Sequence, residues 1–421
     1  MHVVVLAEFA VPSGGAEKVA LESARGLAET GLTVTYVQAI EGPADPLLDH
    51  PRITRIGLGL ADVWTRSALS AALSAIWHRE AARRLVRALD GLAWPPDVLH
   101  LHQWTRSLSP SVFPVLFARS VPVVTTLHDY FLACPNGVHY RFDRTEPCAL
   151  TPISVACLAA PCDGKSRAHK LVRVARTAAL RAAIGRRRLD VVHVCDASRM
   201  RIGGLLGRFD LAHHRIDNPV RVPFAPPADP ASGNALAYVG RLTREKGADL
   251  VAEAAALAGL TALFIGTGPL EAELRGRPNV ELVGWQAPEA VERLLRSRAR
   301  VVVAPSRWYE TGPLTVYEAL AAGLPVIASN RAGAAEKVAD GVNGFVVEPE
   351  AGVLAVALRR LASDDQARAL GRAAHARYWA APMTLAAHAE ALVKLYHGLL
   401  RERAHPAAAV LSLDQPLDAV S

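Results

Sequence analysis

The chain has 421 residues, of which 51% are hydrophobic, and a formal net charge of +7. This length favours two domains with separate cores, and the absence of any run of about 18 apolar residues argues against a membrane-spanning helix. The basic balance favours anionic partners without identifying one. The first residues, MHVVVLAEFA, read as a strand and not as a signal peptide, so we expect a cytoplasmic protein with reduced cysteines.

Short β-branched segments alternate with Ala-, Leu- and Arg-rich segments, which is typical of parallel α/β folds. In the first half we predict strands at 3–9, 33–39, 97–103, 121–129 and 190–196. In the second half we predict strands at 235–242, 261–268, 280–285, 300–306, 325–329 and 344–349. The pattern predicts two Rossmann-like domains, with a ligand bound at the carboxyl ends of their strands.

A segment rich in Pro and small polar residues, 217–234, is the predicted linker. We place the first domain at 1–217, with a cysteine-rich insertion at 130–164. The second domain is placed at 218–380. A C-terminal helix at 381–402 and a disordered tail at 403–421 complete the predicted organisation.

A basic segment, 165–190, has no acidic residue before Asp190. At the helical period its small and apolar side chains share one face and its bases the other. The two faces are Ala168, Leu171, Val172, Ala175, Ala179 and Ala182, and Arg167, Lys170, Arg173, Arg176 and Arg181. We interpret 165–188 as a solvated surface helix, with peripheral docking to an anionic membrane surface as the alternative. Nucleic-acid binding is not favoured, because no reader motif accompanies the charge.

Two motifs of the second half lie at predicted strand ends. VGRLTREKG places Arg241 after a strand and Lys246 near the next helix, where a guanidinium and an ammonium suit a diphosphate. GTGP supplies Gly266 and Gly268 at a strand-to-helix turn, where glycine lets the backbone approach a ligand. The third glycine of a dinucleotide fingerprint is missing, so a nicotinamide dehydrogenase is not favoured.

The segment SRWYETGPLTVYEALAAGLPVIAS, 306–329, holds two carboxylates around a predicted helix start. Glu310 lies just before this helix and Glu318 about two turns within it, while Gly312 suits its N-cap and Pro313 its first position. Carboxylates in these positions can accept hydrogen bonds from sugar hydroxyls.

The start of the same helix leaves peptide N–H groups free, here those of Leu314 and Thr315. Free N–H groups can bind phosphate or sugar oxygens. One ligand with a diphosphate between two sugars would use these groups together with both carboxylates.

Four motifs, VGRLTREKG, GTGP, SRWYETGPLTVYEALAAGLPVIAS and AGAAEKVADGVNGFVVEP, together resemble family 4 of the retaining, nucleotide-sugar-dependent glycosyltransferases. The resemblance covers nearly the whole chain and is strongest between 235 and 350. It implies the α/β GT-B fold, with two Rossmann-like domains across a cleft, and no cofactor for catalysis. It also implies a hexosyltransferase that uses a UDP- or GDP-type sugar and a glycan, lipid-linked or small-molecule acceptor, in surface polysaccharide or glycoconjugate synthesis.

The resemblance implies roles for four side chains of the second half. Arg241 and Lys246 match the diphosphate ligands of the family, and we expect them to stabilise charge on the leaving group. Glu318 matches the ribose ligand, and Glu310 matches the carboxylate beside the donor sugar, where it would act in catalysis.

Further positions of the second half match the family less closely. The backbone at Val283, Gly284 and Trp285 would hold the base of the nucleotide. Glu336 matches a glutamate of the family's GGxxE stretch, but Ala332 replaces the first glycine, so the role of Glu336 stays open.

Two motifs of the first half also match the family. PSGGAEKVA resembles the glycine loop near the donor phosphates, with Gly14 and Gly15 as backbone donors and a plain turn as the alternative. TLHDY places His128 at a strand end, where it matches a catalytic histidine near the transferred sugar; a structural histidine is the alternative. His100 and His102 are interpreted as packing residues or acceptor contacts.

The insertion holds four cysteines: Cys134, Cys148, Cys157 and Cys162. Four thiolates could form a structural zinc site, although the spacing lacks a close C-x-x-C pair. Free thiols and a disulfide are the alternatives, and Cys195 is interpreted as a core residue.

Two other functions remain as alternatives at this point. One is a sugar-nucleotide epimerase or a phosphorylase on the same fold, although no lysine stands out as a pyridoxal phosphate site. The other is a non-catalytic nucleotide-sugar-binding module, which is disfavoured because Arg241, Lys246 and Glu310 are all present.

Overall fold

The computed structural model describes residues 1–207 and 209–404. The first half contains a seven-stranded parallel sheet of order β3-β2-β1-β4-β5-β8-β9 and a small antiparallel hairpin, β6-β7. These strands are β1 His2–Ala7, β2 Thr33–Ile40, β3 Ile53–Leu60, β4 Val98–Leu101, β5 Val123–Leu127, β6 Tyr140–Arg141, β7 Glu146–Pro147, β8 Leu189–His193 and β9 Leu211–Arg215.

Helices cover both faces of this sheet. They are α1 Gly15–Glu29, α2 Ala68–Ile76, α3 Arg79–Asp90, α4 Val112–Phe117, α5 Val155–Ala159, α6 Arg167–Ile184 and α7 Asp196–Gly203. In β1, Val3 and Val5 pack into one buried cluster, and Val4 and Leu6 into another. A strand buried on both faces explains why β1 is a continuous apolar run in the sequence.

The second half forms a six-stranded parallel sheet of order β12-β11-β10-β13-β14-β15. Its strands are β10 Ala235–Val239, β11 Thr261–Ile265, β12 Val280–Gly284, β13 Ala299–Ala304, β14 Val326–Ser329 and β15 Gly344–Val347. Its helices are α8 Ala248–Ala258, α9 Glu271–Leu274, α10 Pro288–Arg298, α11 Leu314–Ala321, α12 Ala351–Arg360 and α13 Asp364–Ala380. The predicted two-domain parallel α/β architecture is therefore confirmed.

The last helix, α14 Leu385–Ala404, returns to the first domain and packs on α1. Leu392, Tyr396 and Leu399 join the buried cluster around β1. The tail predicted at 403–421 begins inside this helix, and its residues 405–421 lie outside the described part of the chain. The C-terminal helix thus belongs to the core of the first domain, which its position in the sequence did not indicate.

All eleven predicted strands overlap strands of the structure, but the sequence analysis missed the short hairpin strands β6 and β7 and, in the first sheet, β3 and β9. These last two are the edge strands of that sheet. Most of their side chains are exposed or half-buried, so they lack the apolar run that marked the other strands. The predicted linker, 217–234, contains no helix or strand.

The faces predicted for the basic helix α6 were wrong. Lys170 and Arg176 are 4% and 5% exposed, whereas Leu171 is 66% exposed. The Lys170 ammonium donates to the carbonyls of Cys157 and Ala160, so its charge is satisfied inside the insertion. A base can be buried when carbonyl groups accept its hydrogen bonds, so the bases of α6 need not lie on its exposed face. Within the described residues, no helix has the length and apolar character needed to cross a membrane.

Candidate active site between the two domains

Two cavities meet at Val239 and Gly240, at the carboxyl end of β10. The first, of about 340 Å³, lies between the domains, and the second, of about 480 Å³, lies within the second domain. Of the predicted site residues, the first cavity is lined by Gly15, His128, Lys246, Glu310, Gly312, Leu314 and Thr315. The second is lined by Arg241, Gly266, Gly268 and Trp285. The structure thus brings most predicted positions to one continuous region of the cleft.

Lys246 and Glu310 form the charged centre of the first cavity. The Lys246 ammonium donates to Glu310 Oε1 at 2.6 Å, and the Ser306 hydroxyl donates to Glu310 Oε2. Burial alone would raise the pKa of Glu310, but the Lys246 charge and these two hydrogen bonds outweigh it and hold the pKa below its usual value. Glu310 is therefore ionised at neutral pH, and it orients the ammonium at the cavity wall.

The start of α11 faces the same cavity. The helix begins at Leu314 with Pro313 as its N-cap, one residue later than the predicted cap at Gly312. Leu314 and Thr315 line the cavity, as do Gly312 and Thr311. The Thr311 hydroxyl also donates to the His128 carbonyl at 2.7 Å, which joins the two domains across the cleft.

Arg241 and the GTGP turn line the second cavity. Arg241 is exposed, and no ion pair of its side chain is found among the described residues. A Cβ atom at Gly266 would lie 2.1 Å from the Gly240 carbonyl oxygen, so glycine is required where the two loops touch. The sequence analysis expected Gly266 to let a ligand approach the backbone. In the structure, Gly266 lets two loops of the protein approach each other.

Of the three residues predicted to hold the base, only Trp285 lines the second cavity. Trp285 and Gln286 line the second cavity, whereas Val283 and Gly284 are not among its lining residues. The Val283 carbonyl already accepts a hydrogen bond from the Gln286 amide at 2.8 Å. The side chain of Trp285 is exposed, which leaves its ring available for stacking.

Glu318 lines neither cavity, and its carboxylate accepts a hydrogen bond from the Lys18 ammonium at 3.1 Å. Lys18 lies on α1, so this ion pair also crosses the cleft. Gly15 lines the first cavity, while Gly14 is the N-cap of α1. The sequence analysis quoted Lys18 within PSGGAEKVA but gave it no role. Its partner stands 300 residues away along the chain.

His128 stands at the end of a row of buried histidines. Its Nε2 lies 3.1 Å from His102 Nδ1. His102 Nε2 is buried without a partner among the described residues, and a buried N–H left unpaired costs more than a lone pair. We therefore assign the His102 proton to Nδ1, which donates to His128 and leaves the His128 proton on Nδ1.

Burial lowers the pKa of His128 to about 3, so His128 is a neutral group in the cavity. His100 bonds Tyr396 and Thr126 at 2.6 and 2.7 Å, and it is buried together with His102. Of the two interpretations of His100 and His102, the structure supports packing. They support the wall that carries His128.

Asp129 is a cavity residue that the sequence analysis missed, although TLHDY contains it. Burial raises its pKa to about 6, partly countered by the hydrogen bond from the Phe131 N–H. Asp129 thus adds a carboxylate to the first-domain side of the cavity, and its only signal in the sequence was its place beside His128.

Glu336, whose role was left open, lies at the domain contact and not in either cavity. Its carboxylate accepts hydrogen bonds from Arg215 and from the Asp196 N–H. Next to it, a Cβ atom at Gly333 would lie 2.4 Å from Cys195 Sγ. Gly333 thus permits a close approach of the domains, and Cys195 is buried as predicted.

The four cysteines of the insertion are buried and free. Asn136 lies among them, since its Oδ1 accepts from Cys134 Sγ at 3.1 Å and its Nδ2 donates to the Cys162 carbonyl at 3.2 Å. Burial raises the pKa of Cys134 to about 11, which favours the thiol. In the described part of the chain, no three Cys, His, Asp or Glu side chains form a metal-ligand group. The zinc site gains no support and stays an untested prediction.

Comparison with known protein families gives two matches. The model of the glycosyl transferases group 1 matches residues 224–377, and that of the glycosyl transferase 4-like domain matches residues 14–149. Among curated proteins, the glycogen synthase of Mycobacterium tuberculosis is 30% identical over 318 residues, which cover 70% of this chain and 67% of that protein. These matches extend over both domains.

Other relatives match over shorter segments. The alpha-D-kanosaminyltransferase of Streptomyces kanamyceticus is 31% identical over 172 residues, or 38% of this chain. The matched segment covers 44% of that enzyme, less than half of its length.

Solved structures share the fold over nearly the whole chain. Sucrose-phosphate synthase from Thermosynechococcus elongatus superimposes with a TM-score of 0.71 at 20% identity, covering 95% of this chain and 99% of that chain. HepE of Anabaena in complex with UDP-glucose gives a TM-score of 0.65 at 18% identity, covering 95% and 100%. The predicted GT-B fold is thereby confirmed.

Proposed function

The chain belongs to the group 1 glycosyltransferases, and we propose that it moves a sugar from a UDP- or GDP-type donor to its acceptor with retention of configuration. The observation that carries this proposal is the Lys246–Glu310 pair, at 2.6 Å, in the cavity where the two domains meet. An oriented ammonium at this point suits a leaving diphosphate.

The proposed donor spans both cavities. Its base would lie beside Trp285, and its diphosphate would lie near Gly240, within reach of Arg241 and Lys246. Its sugar would then lie toward Glu310. The UDP-glucose complex of HepE, a protein of the same fold, supports a nucleotide-sugar donor of this length.

In the proposed reaction, the bond from the sugar C1 to the diphosphate oxygen breaks as the acceptor oxygen attacks from the same face. The acceptor proton passes to the leaving phosphate oxygen, and Arg241, Lys246 and the peptide N–H groups at the start of α11 stabilise the negative charge. Glu310 holds the ammonium in place and accepts from a sugar hydroxyl. His128, which is neutral, donates its Nδ1 proton to the sugar. No metal is required in this scheme.

For the acceptor we propose a glycan or a lipid-linked molecule, in surface polysaccharide or glycoconjugate synthesis at the cytoplasmic face of a membrane. The net charge of +7 supports contact with an anionic surface. The exposed bases of α6, such as Arg167, support the same view, although Lys170 and Arg176 are buried.

The proposal is tested by a thermal-shift panel of nucleoside diphosphates, followed by nucleotide-release assays with the matching nucleotide sugars. We expect one of UDP and GDP to raise the melting temperature and its sugars to be hydrolysed slowly. A chain that binds no nucleoside diphosphate would contradict the proposed function.

A further inference from the structure

A third cavity, of about 600 Å³, lies in the first domain between α2 and α6. One wall consists of small side chains of α2: Ala68, Ala71, Ala72 and Ala75. Trp64 and Phe131 contribute aromatic surface. The interior therefore suits an apolar body rather than a chain of sugars.

Four arginines line the same cavity: Arg66, Arg106, Arg173 and Arg176. Two have carboxylate partners, since Arg106 pairs with Asp62 at 2.6 Å and Arg173 with Asp163 at 3.2 Å. Arg66 and Arg176 have none within 4.0 Å among the described residues. The cavity thus carries an excess of positive charge, and Asp129 and Asp163 attract Arg176 only from a longer distance.

Arg176 is the more informative of the two, because it is 5% exposed. Its guanidinium lies 4.3 Å from the centroid of the Phe131 ring and donates only to the carbonyls of Thr105 and Pro135, both at 3.4 Å. Burial lowers its pKa to about 10, yet it stays charged at neutral pH. A buried charge with two long hydrogen bonds is costly unless an anion completes its surroundings.

This cavity lies near the proposed reaction site. Asp129 and Tyr130 line the cavity between the domains, and the next residue, Phe131, lines this one. The two cavities therefore share the segment 129–131 as a common wall.

The two helices that wall the cavity also carry exposed apolar side chains. Leu69 and Leu73 of α2 are 72% and 60% exposed, and Leu171 of α6 is also exposed. No residue of α2 is buried, although the helix is largely apolar. An apolar body that leaves the cavity would find further contact here.

We propose that this cavity binds an amphiphilic anion, a phosphate or carboxylate joined to an apolar body, through Arg176 and Arg66. That this molecule is the acceptor rests on the proposed function; that the cavity binds it does not. The anion neutralises the buried guanidinium, and the alanine and aromatic walls enclose the apolar part. The source is either a lipid in a membrane or a soluble acid.

The test titrates hexyl phosphate, hexanol and inorganic phosphate into the full chain by calorimetry. We expect hexyl phosphate to bind more tightly than either of the other two. Arg176→Gln should weaken hexyl phosphate binding on the order of 10–100-fold, as for a lost hydrogen bond to a charged group. Arg83→Gln, at an exposed arginine of α3 that does not line the cavity, should leave it unchanged. Hexanol or inorganic phosphate binding as tightly as hexyl phosphate would overturn the proposal.

A second variant keeps the test valid if Arg176→Gln fails to fold. Ala72→Phe fills the cavity from its α2 wall without changing any charge, and it should also abolish hexyl phosphate binding. Normal binding in a folded Ala72→Phe protein would overturn the assigned site. Circular dichroism and thermal melting show which variants are folded.

Two further measurements identify the source of the anion and test whether the site depends on the proposed function. The source is tested by sedimentation with phosphatidylcholine vesicles, with and without phosphatidic acid. Co-sedimentation that Arg176→Gln abolishes indicates a membrane lipid, whereas hexyl phosphate binding without co-sedimentation indicates a soluble acid. Nucleoside diphosphate binding, measured on the same samples, should be unaffected by Arg176→Gln. If hexyl phosphate binds and no nucleotide does, the proposed function fails while the amphiphile site stands.

Discussion

The two walls of the cleft use opposite kinds of groups. On the second-domain wall, Lys246 and Glu310 are ionised partners in loops at strand ends. On the first-domain wall, burial lowers the pKa of His100 and His128 to about 3, so both are neutral. One wall therefore acts through the Lys246–Glu310 ion pair, whereas on the other the histidines act through neutral hydrogen bonds and shape beside one carboxylate, Asp129, whose pKa burial raises to about 6. A diphosphate suits the first kind of wall and an acceptor the second.

The largest effect is expected for the charged wall. Lys246→Ala should lower the rate of nucleotide release by roughly 10²–10³-fold, because it removes one donor to the charge that develops on the leaving group. Arg244→Ala, in the same loop but exposed and paired with Asp249 and Glu273, is the matched control and should retain the rate. Equal rates of nucleotide release for Lys246→Ala and the wild type would contradict the proposal that the second-domain wall acts through charge.

A smaller effect is expected where the two walls touch. We expect the ribose of a bound nucleotide to replace Lys18 as the partner of Glu318, so Glu318→Gln should weaken nucleoside diphosphate binding by about 1–3 kcal/mol through loss of a charged acceptor. Lys18→Met, which removes the partner seen at 3.1 Å, should leave the binding intact or tighter. Calorimetry that finds unchanged affinity for Glu318→Gln would refute the ribose assignment.

The neutral wall predicts a dependence of stability on pH. Because the pKa of His100 is about 3 in the folded chain and near 6.5 when unfolded, the unfolded state binds a proton first as the pH falls. The free energy of unfolding should thus decrease below pH 6.5, by about 1.4 kcal/mol per pH unit for this residue. Denaturant unfolding of His100→Gln should show a correspondingly shallower decrease.

His397→Gln, an exposed histidine on α14, is the control for this measurement and should follow the wild type. Glu8 and Glu22, whose pKa burial raises to about 7, act in the opposite direction between pH 4.5 and 7. Their contribution is the same in both proteins and cancels in the difference. Identical pH profiles for His100→Gln and the wild type would contradict a neutral wall.

The smallest effect is expected from chelation. EDTA should leave nucleotide release unchanged, because Arg241, Lys246 and peptide N–H groups neutralise the diphosphate in our scheme. A requirement for added magnesium or manganese would refute it.

Elemental analysis of the same protein decides the separate question of zinc at the insertion. About one metal per chain would support the zinc site, and freely titrating thiols would refute it.

The charged wall could be predicted from the sequence because its determinants are local. A strand end, a glycine turn and a base before a helix are all visible within VGRLTREKG and GTGP. The same holds for Glu310 before α11. When the residues of a site lie in one short segment, their spacing forms a motif that can be recognised in the sequence.

The features that could not be predicted from the sequence depend on contacts between segments that are distant along the chain. The pairing of Lys18 with Glu318, the burial of Arg176 and the return of α14 to the first domain all join residues far apart in sequence. For α6, periodicity placed the bases outside, whereas carbonyls of the insertion and the Phe131 ring bury two of them. A pattern of charge along one helix cannot reveal partners supplied by another segment.

The most direct test of the central claim is a crystal structure with the nucleoside diphosphate that the thermal-shift panel selects, grown in the presence of EDTA. We expect the base beside Trp285 in the second cavity and the diphosphate at Gly240, in contact with Arg241 and Lys246. A nucleotide bound instead at Arg176, or a diphosphate that contacts neither Arg241 nor Lys246, would contradict the assignment of the charged wall to the donor.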